Sequence, residues 1–126
     1  MDVHVVDASA LGAMVFGEPE AQKIADKLSG GLLIGPALLP FELASICLKK
    51  MKAHPARKNL IMKAFEASEQ LAIEYIDVDH PQVIALAEEA GLTTYDAAYL
   101  WLAKKTGGRL VTLDAKLRKA ATKKSR

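Results

Sequence analysis

The chain has 126 residues, 51% of them hydrophobic and 25% charged, with a formal net charge of +2. That size makes one domain, 1–126, the expectation, able to bury roughly two thirds of its unfolded surface. Cys47 is the only cysteine, which excludes an internal disulfide and a Cys-rich zinc site. No apolar run is long enough to cross a bilayer, and no basic segment followed by a long apolar stretch opens the chain, so a cytoplasmic location is expected.

In chain order, Val3-His-Val-Val6 is a short β-branched run, long enough for a buried strand and too short for a buried helix. It ends at Asp7, and Ser9 is placed to cap a helical segment Ala10–Val15. Gly17-Glu-Pro-Glu opens a second helix, with Ala21, Ile24, Ala25 and Leu28 on one face, and Gly30-Gly31 stops it. Leu32-Leu-Ile34 is a second strand, broken by Gly35-Pro36. Pro40 pre-sets a helix that carries Glu42 and runs to about Met51. After a polar break from Met51 to Pro55, Arg57 to Leu71 has helical period, with Leu60, Ile61, Ala64, Phe65, Ser68 and Leu71 expected inward.

A third strand is expected over Ile73–Val78. Asp79 is placed to cap a helix from Pro81 to Ala90, with Gly91 as its left-handed stop. Thr93-Thr94 caps a helix from Tyr95 to Lys105, ended by Gly107-Gly108. Leu110-Val-Thr-Leu113 is a fourth strand, and a last helix from Asp114 runs into a basic tail from about residue 121. Short apolar strands alternating with amphipathic helices imply an α/β fold whose parallel sheet is covered on both faces.

Four acids sit where a strand ends or a helix begins: Asp7, Glu42, Asp96 and Asp114. In an open α/β fold these positions face the same edge of the sheet. Each alone has an ordinary explanation, because an acid in a first helical turn complements the helix dipole. Asp96 resists that explanation, since Thr94 is placed to cap its helix and it shares a face with Tyr99, Leu100 and Ala103. Asp7 follows a fully apolar strand, and Glu42 has hydrophobic neighbours on both sides. Gathered together without basic partners, such carboxylates repel one another, and a divalent cation is the ordinary remedy. An all-oxygen donor set selects Mg²⁺ or Mn²⁺, with Ser9 and Thr112 as supporting hydroxyls. The chemistry expected of that set is hydrolysis of a phosphodiester by in-line attack of water, with Asp7 and Asp96 as the principal metal ligands. Glu42 and Asp114 would orient waters or hold a second ion.

Charge is unevenly spread. Leu43 to Phe65 holds six basic residues and no acid, and Ala97 to Arg126 holds nine basic residues with one acid, Asp114. A positive rim around an acidic cluster suits a phosphate-backbone substrate, for which Lys49, Lys50, Lys116 and Arg118 are the candidate contacts. His4, His54 and His80 lack metal-ligand spacing to one another, and Tyr95, Tyr99 and Trp101 are expected in the core or at a dimer face. No Gly-x-x-x-x-Gly-Lys-Ser/Thr loop and no Gly-x-Gly-x-x-Gly after a strand is present. Asp7-Ala-Ser also lacks the second aspartate expected of an aspartyl phosphotransfer site.

Val-Val-Asp-Ala-Ser-Ala, Pro-Phe-Glu-Leu-Ala, Gly-Leu-Thr-Thr-Tyr-Asp-Ala-Ala-Tyr-Leu and Leu-Val-Thr-Leu-Asp-Ala-Lys-Leu together resemble a PIN domain. More narrowly they resemble the VapC-type toxin ribonucleases of prokaryotic toxin–antitoxin pairs, from Val3 to about Ala120. The resemblance implies a three-layer α/β/α sandwich and Mg²⁺- or Mn²⁺-dependent endonucleolytic cleavage of RNA. It further implies a homodimer, inhibited by a small antitoxin that docks near the active site. The acidic quartet carries over to Asp7, Glu42, Asp96 and Asp114, and the accessory hydroxyl to Ser9 or Thr112. Many relatives continue into a further strand after the last helix, so a sheet of about four strands is expected here. The competing readings are a PIN-like RNA-binding module without turnover, and a nuclease acting in RNA maturation or on DNA.

Overall fold

A computed structural model describes residues 2–123. Its strands are β1 (Val3–Val6), β2 (Leu32–Gly35), β3 (Ile73–Tyr75) and β4 (Arg109–Val111). They form a four-stranded sheet in the order β3-β2-β1-β4 among the described residues. Every neighbouring pair is parallel, with Val5 beside Ile34 on one side and Leu110 on the other. All four strands therefore end at the same edge.

The helices are α1 (Ala8–Val15), α2 (Ala21–Leu28), α3 (Leu39–Ala53), α4 (Lys58–Ser68), α5 (His80–Ala90), α6 (Thr94–Thr106) and α7 (Ala115–Thr122), with a short 3-10 turn at Pro55–Arg57. The steps from β1 to β2 and from β2 to β3 move the same way across the sheet, so right-handed crossovers put α1 to α4 on one face. The return from β3 to β4 carries α5 and α6 over the other face. Packing agrees: α1 lies on α2 and α3, α3 on α4, and α6 on α5, α7 and β1. The result is a three-layer α/β/α sandwich.

The core forms on both sides of the central strands. Val5, Val6 and Ile34 from the sheet meet Leu11, Ile24, Leu39 and Leu43, and Tyr99, Leu100, Leu102 and Leu117 belong to the same buried cluster. Burial of each such side chain stabilises the fold by about 1.5–3 kcal/mol. Two glycines shape the corners nearest the strand ends. Gly91, at φ +68°, ends α5 in the left-handed conformation and lets α6 turn back along it. At Gly35 an added Cβ would lie 2.7 Å from Leu39 Cδ2, so the absence of a side chain lets α3 start directly over the end of β2.

Several boundaries differ from the sequence expectation. α1 starts at Ala8, and its cap is Asp7 rather than Ser9. The cap of α6 is Thr93. β3 stops at Tyr75 instead of Val78, because its partner β2 ends at Gly35; Ile76 N–H makes the last bond, to the Gly35 carbonyl. β4 spans Arg109–Val111 rather than Leu110–Leu113, because Thr112 and Leu113 turn to bond side chains beside β1. α3 continues to Ala53, past the expected stop near Met51. Leu60, expected inward, is 65% exposed, and Leu71 is exposed as well. α4 is an outer helix resting mainly on α3, so of its apolar stripe only Ile61 is buried. The basic tail lies outside the described residues from position 124 onward.

Candidate active site

The four acids arrive from four different places at the strand-end edge: Asp7 after β1, Glu42 in the first turn of α3, Asp96 in the first turn of α6, and Asp114 before α7. Asp7 is the most enclosed, at 5% exposure. Its Oδ1 accepts hydrogen bonds from the Ser9 hydroxyl at 2.7 Å and from the Ala10 N–H at 3.0 Å. Its Oδ2 accepts from the Thr112 hydroxyl at 2.5 Å. The same hydroxyls tie down the bend after β4: Leu113 N–H donates to Ser9 Oγ and Asp114 N–H to Thr112 Oγ1, both at 3.0 Å. Arg118 donates through its guanidinium to the Thr112 carbonyl at 2.9 Å. The two hydroxyls singled out from the sequence thus hold both Asp7 and the loop leading to Asp114.

Asp114 itself is exposed and accepts from the Leu117 N–H at 2.8 Å, which makes it the cap of α7. Asp96 is half-buried, with its N–H donated to the Thr93 hydroxyl at 3.1 Å. Glu42 is half-buried too, and its Oε1 accepts from the Tyr99 hydroxyl at 2.5 Å. Tyr99 is the site residue that inspection of the sequence assigned only to the core or a dimer face. The available signal was its place one turn after Asp96: a phenol on a core-facing position needs a polar partner.

Three of the acids hold protons more tightly than usual. Burial is the main cause for Asp7, opposed by its bonds to Thr112, Ala10 and Ser9, with the charge of Asp114 adding to the rise. Burial also raises Glu42, against its bond to Tyr99 and with help from the charges of Asp96 and Asp7. Asp96 is raised by burial, then by Asp114 and Asp7, while its bond to Thr93 and the ammonium of Lys116 pull the other way. Burial, the bond to Glu42 and the nearby acids push the Tyr99 phenol well above its usual range. Each of the four carboxylates therefore lies within electrostatic reach of at least one other.

Such repulsion suits a cation, and the donors are all hard oxygens. Among the described residues, no three Asp, Glu, His or Cys side chains converge closely enough to hold an ion by themselves. The arrangement fits an ion that keeps several of its waters, as magnesium does, better than a closed protein cage.

The four candidate substrate cations divide. Lys116 acts on Asp96, and Arg118 is bound to the Thr112 carbonyl, so both belong to this edge. Lys50 pairs with Glu18 and lies over the Phe16 ring, near the far end of α3, and Lys49 is exposed beside it. Eight residues beyond Glu42, Lys50 is about 12 Å farther along the helix axis.

Residues 4–123 match the family model of the PIN domain. The chain belongs to the PIN domain family. It is similar to the Ribonuclease VapC3 of Pyrobaculum aerophilum, with 31% identity over 118 residues and 90% of each chain covered. Its fold is that of PAE2754 from Pyrobaculum aerophilum, solved as a crystal structure. The TM-score is 0.78 at 24% identity, over 96% of this chain and 86% of the other. In this PIN chain the matched span includes all four acids, Ser9, Thr112 and Tyr99.

Proposed function

We propose that this PIN-domain chain is a Mg²⁺- or Mn²⁺-dependent endoribonuclease, the toxin of a toxin–antitoxin pair, hydrolysing RNA phosphodiester bonds. The observation that carries the reading is convergence. Asp7, Glu42, Asp96 and Asp114 come from four separate elements to one strand-end edge. There burial and neighbouring carboxylates raise the proton affinity of Asp7, Glu42 and Asp96, and Lys116 opposes the rise at Asp96. The similarity to a protein named Ribonuclease VapC3 supports RNA as the substrate and a small antitoxin protein as the inhibiting partner. A homodimer and a cytoplasmic location belong to the same proposal. Among the described residues no helix is long and apolar enough to cross a membrane.

In this reading Asp7 and Asp96 are the principal metal ligands, and Glu42 and Asp114 orient waters or hold a second ion. Magnesium or manganese held by Asp7 and Asp96 would supply Lewis acidity toward the phosphodiester and the attacking water. The protein's own part is positioning. Three hydrogen bonds hold the Asp7 carboxylate in one orientation, so little reorganisation remains when charge develops in the reaction. Glu42, raised above an ordinary carboxylate, is suited to accept a proton from the attacking water. Lys116 and Arg118 are the proposed contacts for the RNA backbone at this edge.

The test is cleavage of RNA by purified Asp7→Asn and Asp96→Asn variants with Mg²⁺ or Mn²⁺ present. Both should lose at least about a hundredfold in rate, and expression of either should no longer inhibit growth. Full cleavage by either variant would overturn the assignment.

A further inference from the structure

We infer that Tyr99 is a positioning residue: its hydroxyl, reaching from one helical layer to the other, fixes the Glu42 carboxylate relative to Asp96. This rests on the nuclease reading above and extends it to a residue outside the acidic quartet.

The Tyr99 ring is 1% exposed, surrounded by the same core that holds Leu100 and Leu102. A tyrosine has two side-chain torsions before its hydroxyl, and burial of the ring fixes both, so the oxygen becomes a stationary point. Glu42 is different. It has three torsions on a half-buried first turn whose cap position, Leu38, offers no side-chain bond. The hydrogen bond from Tyr99 to Oε1, between residues 57 apart in sequence, is the constraint on where that carboxylate lies.

The bond also spans the two helical layers. α3 lies with α1 and α4 on one face of the sheet, and α6 lies with α5 and α7 on the other. Tyr99 follows Asp96 by three residues, so the two share a helix face. The helix that carries one acid therefore sets the position of the other, and the spacing between Asp96 and Glu42 is built into α6. Among the described residues only Oε1 accepts a hydrogen bond, which leaves Oε2 without one. A buried phenol in need of a partner is satisfied equally by a carbonyl oxygen. Here the partner is a carboxylate beside two other acids, so the bond holds a group whose place bears on the site.

The test is Mn²⁺ binding to the full-length, RNA-free protein by calorimetry, with a thermal melt alongside. Tyr99→Phe keeps the ring and removes the hydroxyl, and should weaken Mn²⁺ binding about tenfold, within the 10–100-fold range for loss of a residue that orients a ligand. Glu42→Ala should weaken it at least as much. Adding Tyr99→Phe to Glu42→Ala should change nothing further, because the hydroxyl then has nothing to position. Two results overturn the inference: wild-type affinity in Tyr99→Phe, whatever happens to its melting temperature, or an undiminished loss in the Glu42→Ala background. Asp7→Asn separates this failure from that of the nuclease reading. If Asp7→Asn loses Mn²⁺ and Tyr99→Phe does not, Tyr99 alone is misassigned; if Asp7→Asn binds like wild type, both readings fall. Should Tyr99→Phe not fold, Mg²⁺ added to the wild type must perturb the ultraviolet absorption of a buried tyrosine, Tyr75 and Tyr95 being exposed. No perturbation overturns the inference.

Discussion

The two sides of the acidic edge are built differently. On the β1–β4 side, Asp7, Ser9, Thr112 and the backbone of residues 113 and 114 form one closed network, in which every hydroxyl both donates and accepts. On the α3 side, Glu42 is held by a single hydrogen bond from another layer. The first arrangement resists displacement because moving one member breaks several bonds. The second depends on one contact alone. An ion seated between them would meet one wall held by several bonds and one held by a single bond.

The largest expected effect on that contrast comes from Thr112→Val. It removes the donor to Asp7 Oδ2 and the acceptor for Asp114 N–H, so it should lower stability by about 2–3 kcal/mol in urea melts. Glu42→Gln is the opposite case. The amide oxygen still accepts from Tyr99, so stability should change by less than about 1 kcal/mol, while Mg²⁺-dependent cleavage falls sharply. Equal destabilisation by the two substitutions would erase the distinction between the sides.

A smaller effect concerns pH in metal-free protein. Asp7, Glu42 and Asp96 have folded pKa values above their unfolded ones, so between those values the folded state binds more protons than the unfolded state. Their contribution to stability is therefore full below the unfolded values, near 3.8 for Asp and 4.5 for Glu. It is lost as pH rises through the folded ones. Thermal melts from about pH 4 to 7 should show that loss, and Asp96→Asn should reduce it. Magnesium should restore stability at pH 7, by about 2.7 kcal/mol when present at a hundred times its Kd. A wild-type profile identical to that of Asp96→Asn would mean that Asp96 is not among the groups the site strains.

Much of the fold was legible because its signals are local. Short apolar runs marked all four strands, and Asp79, Gly91, Gly107 and Asp114 act at helix ends as their residue types suggest. The four acids stood out for the same reason, each lying at a junction between elements. What escaped depended on partners distant in the chain. The ends of β3 and β4 are set by the lengths of β2 and β1, and nothing near Val78 or Leu113 records that. Ser9 has the residue type of a helix cap, yet Asp7 takes that position and Ser9 turns to a backbone more than a hundred residues away. Leu60 keeps helical spacing with Ala64, but no second layer covers α4 there. Tyr99 looked like an ordinary core aromatic because its hydroxyl partner lies on the opposite layer.

The order of strands has a consequence for how the acidic pocket assembles. Asp7 follows β1, yet its clasp, Thr112, stands 105 positions later, just past the strand that slots in beside β1. That bond closes a long loop of chain, so it forms only once the elements between the two residues have packed. β4, last of the four strands in sequence, is therefore the latch that completes the edge.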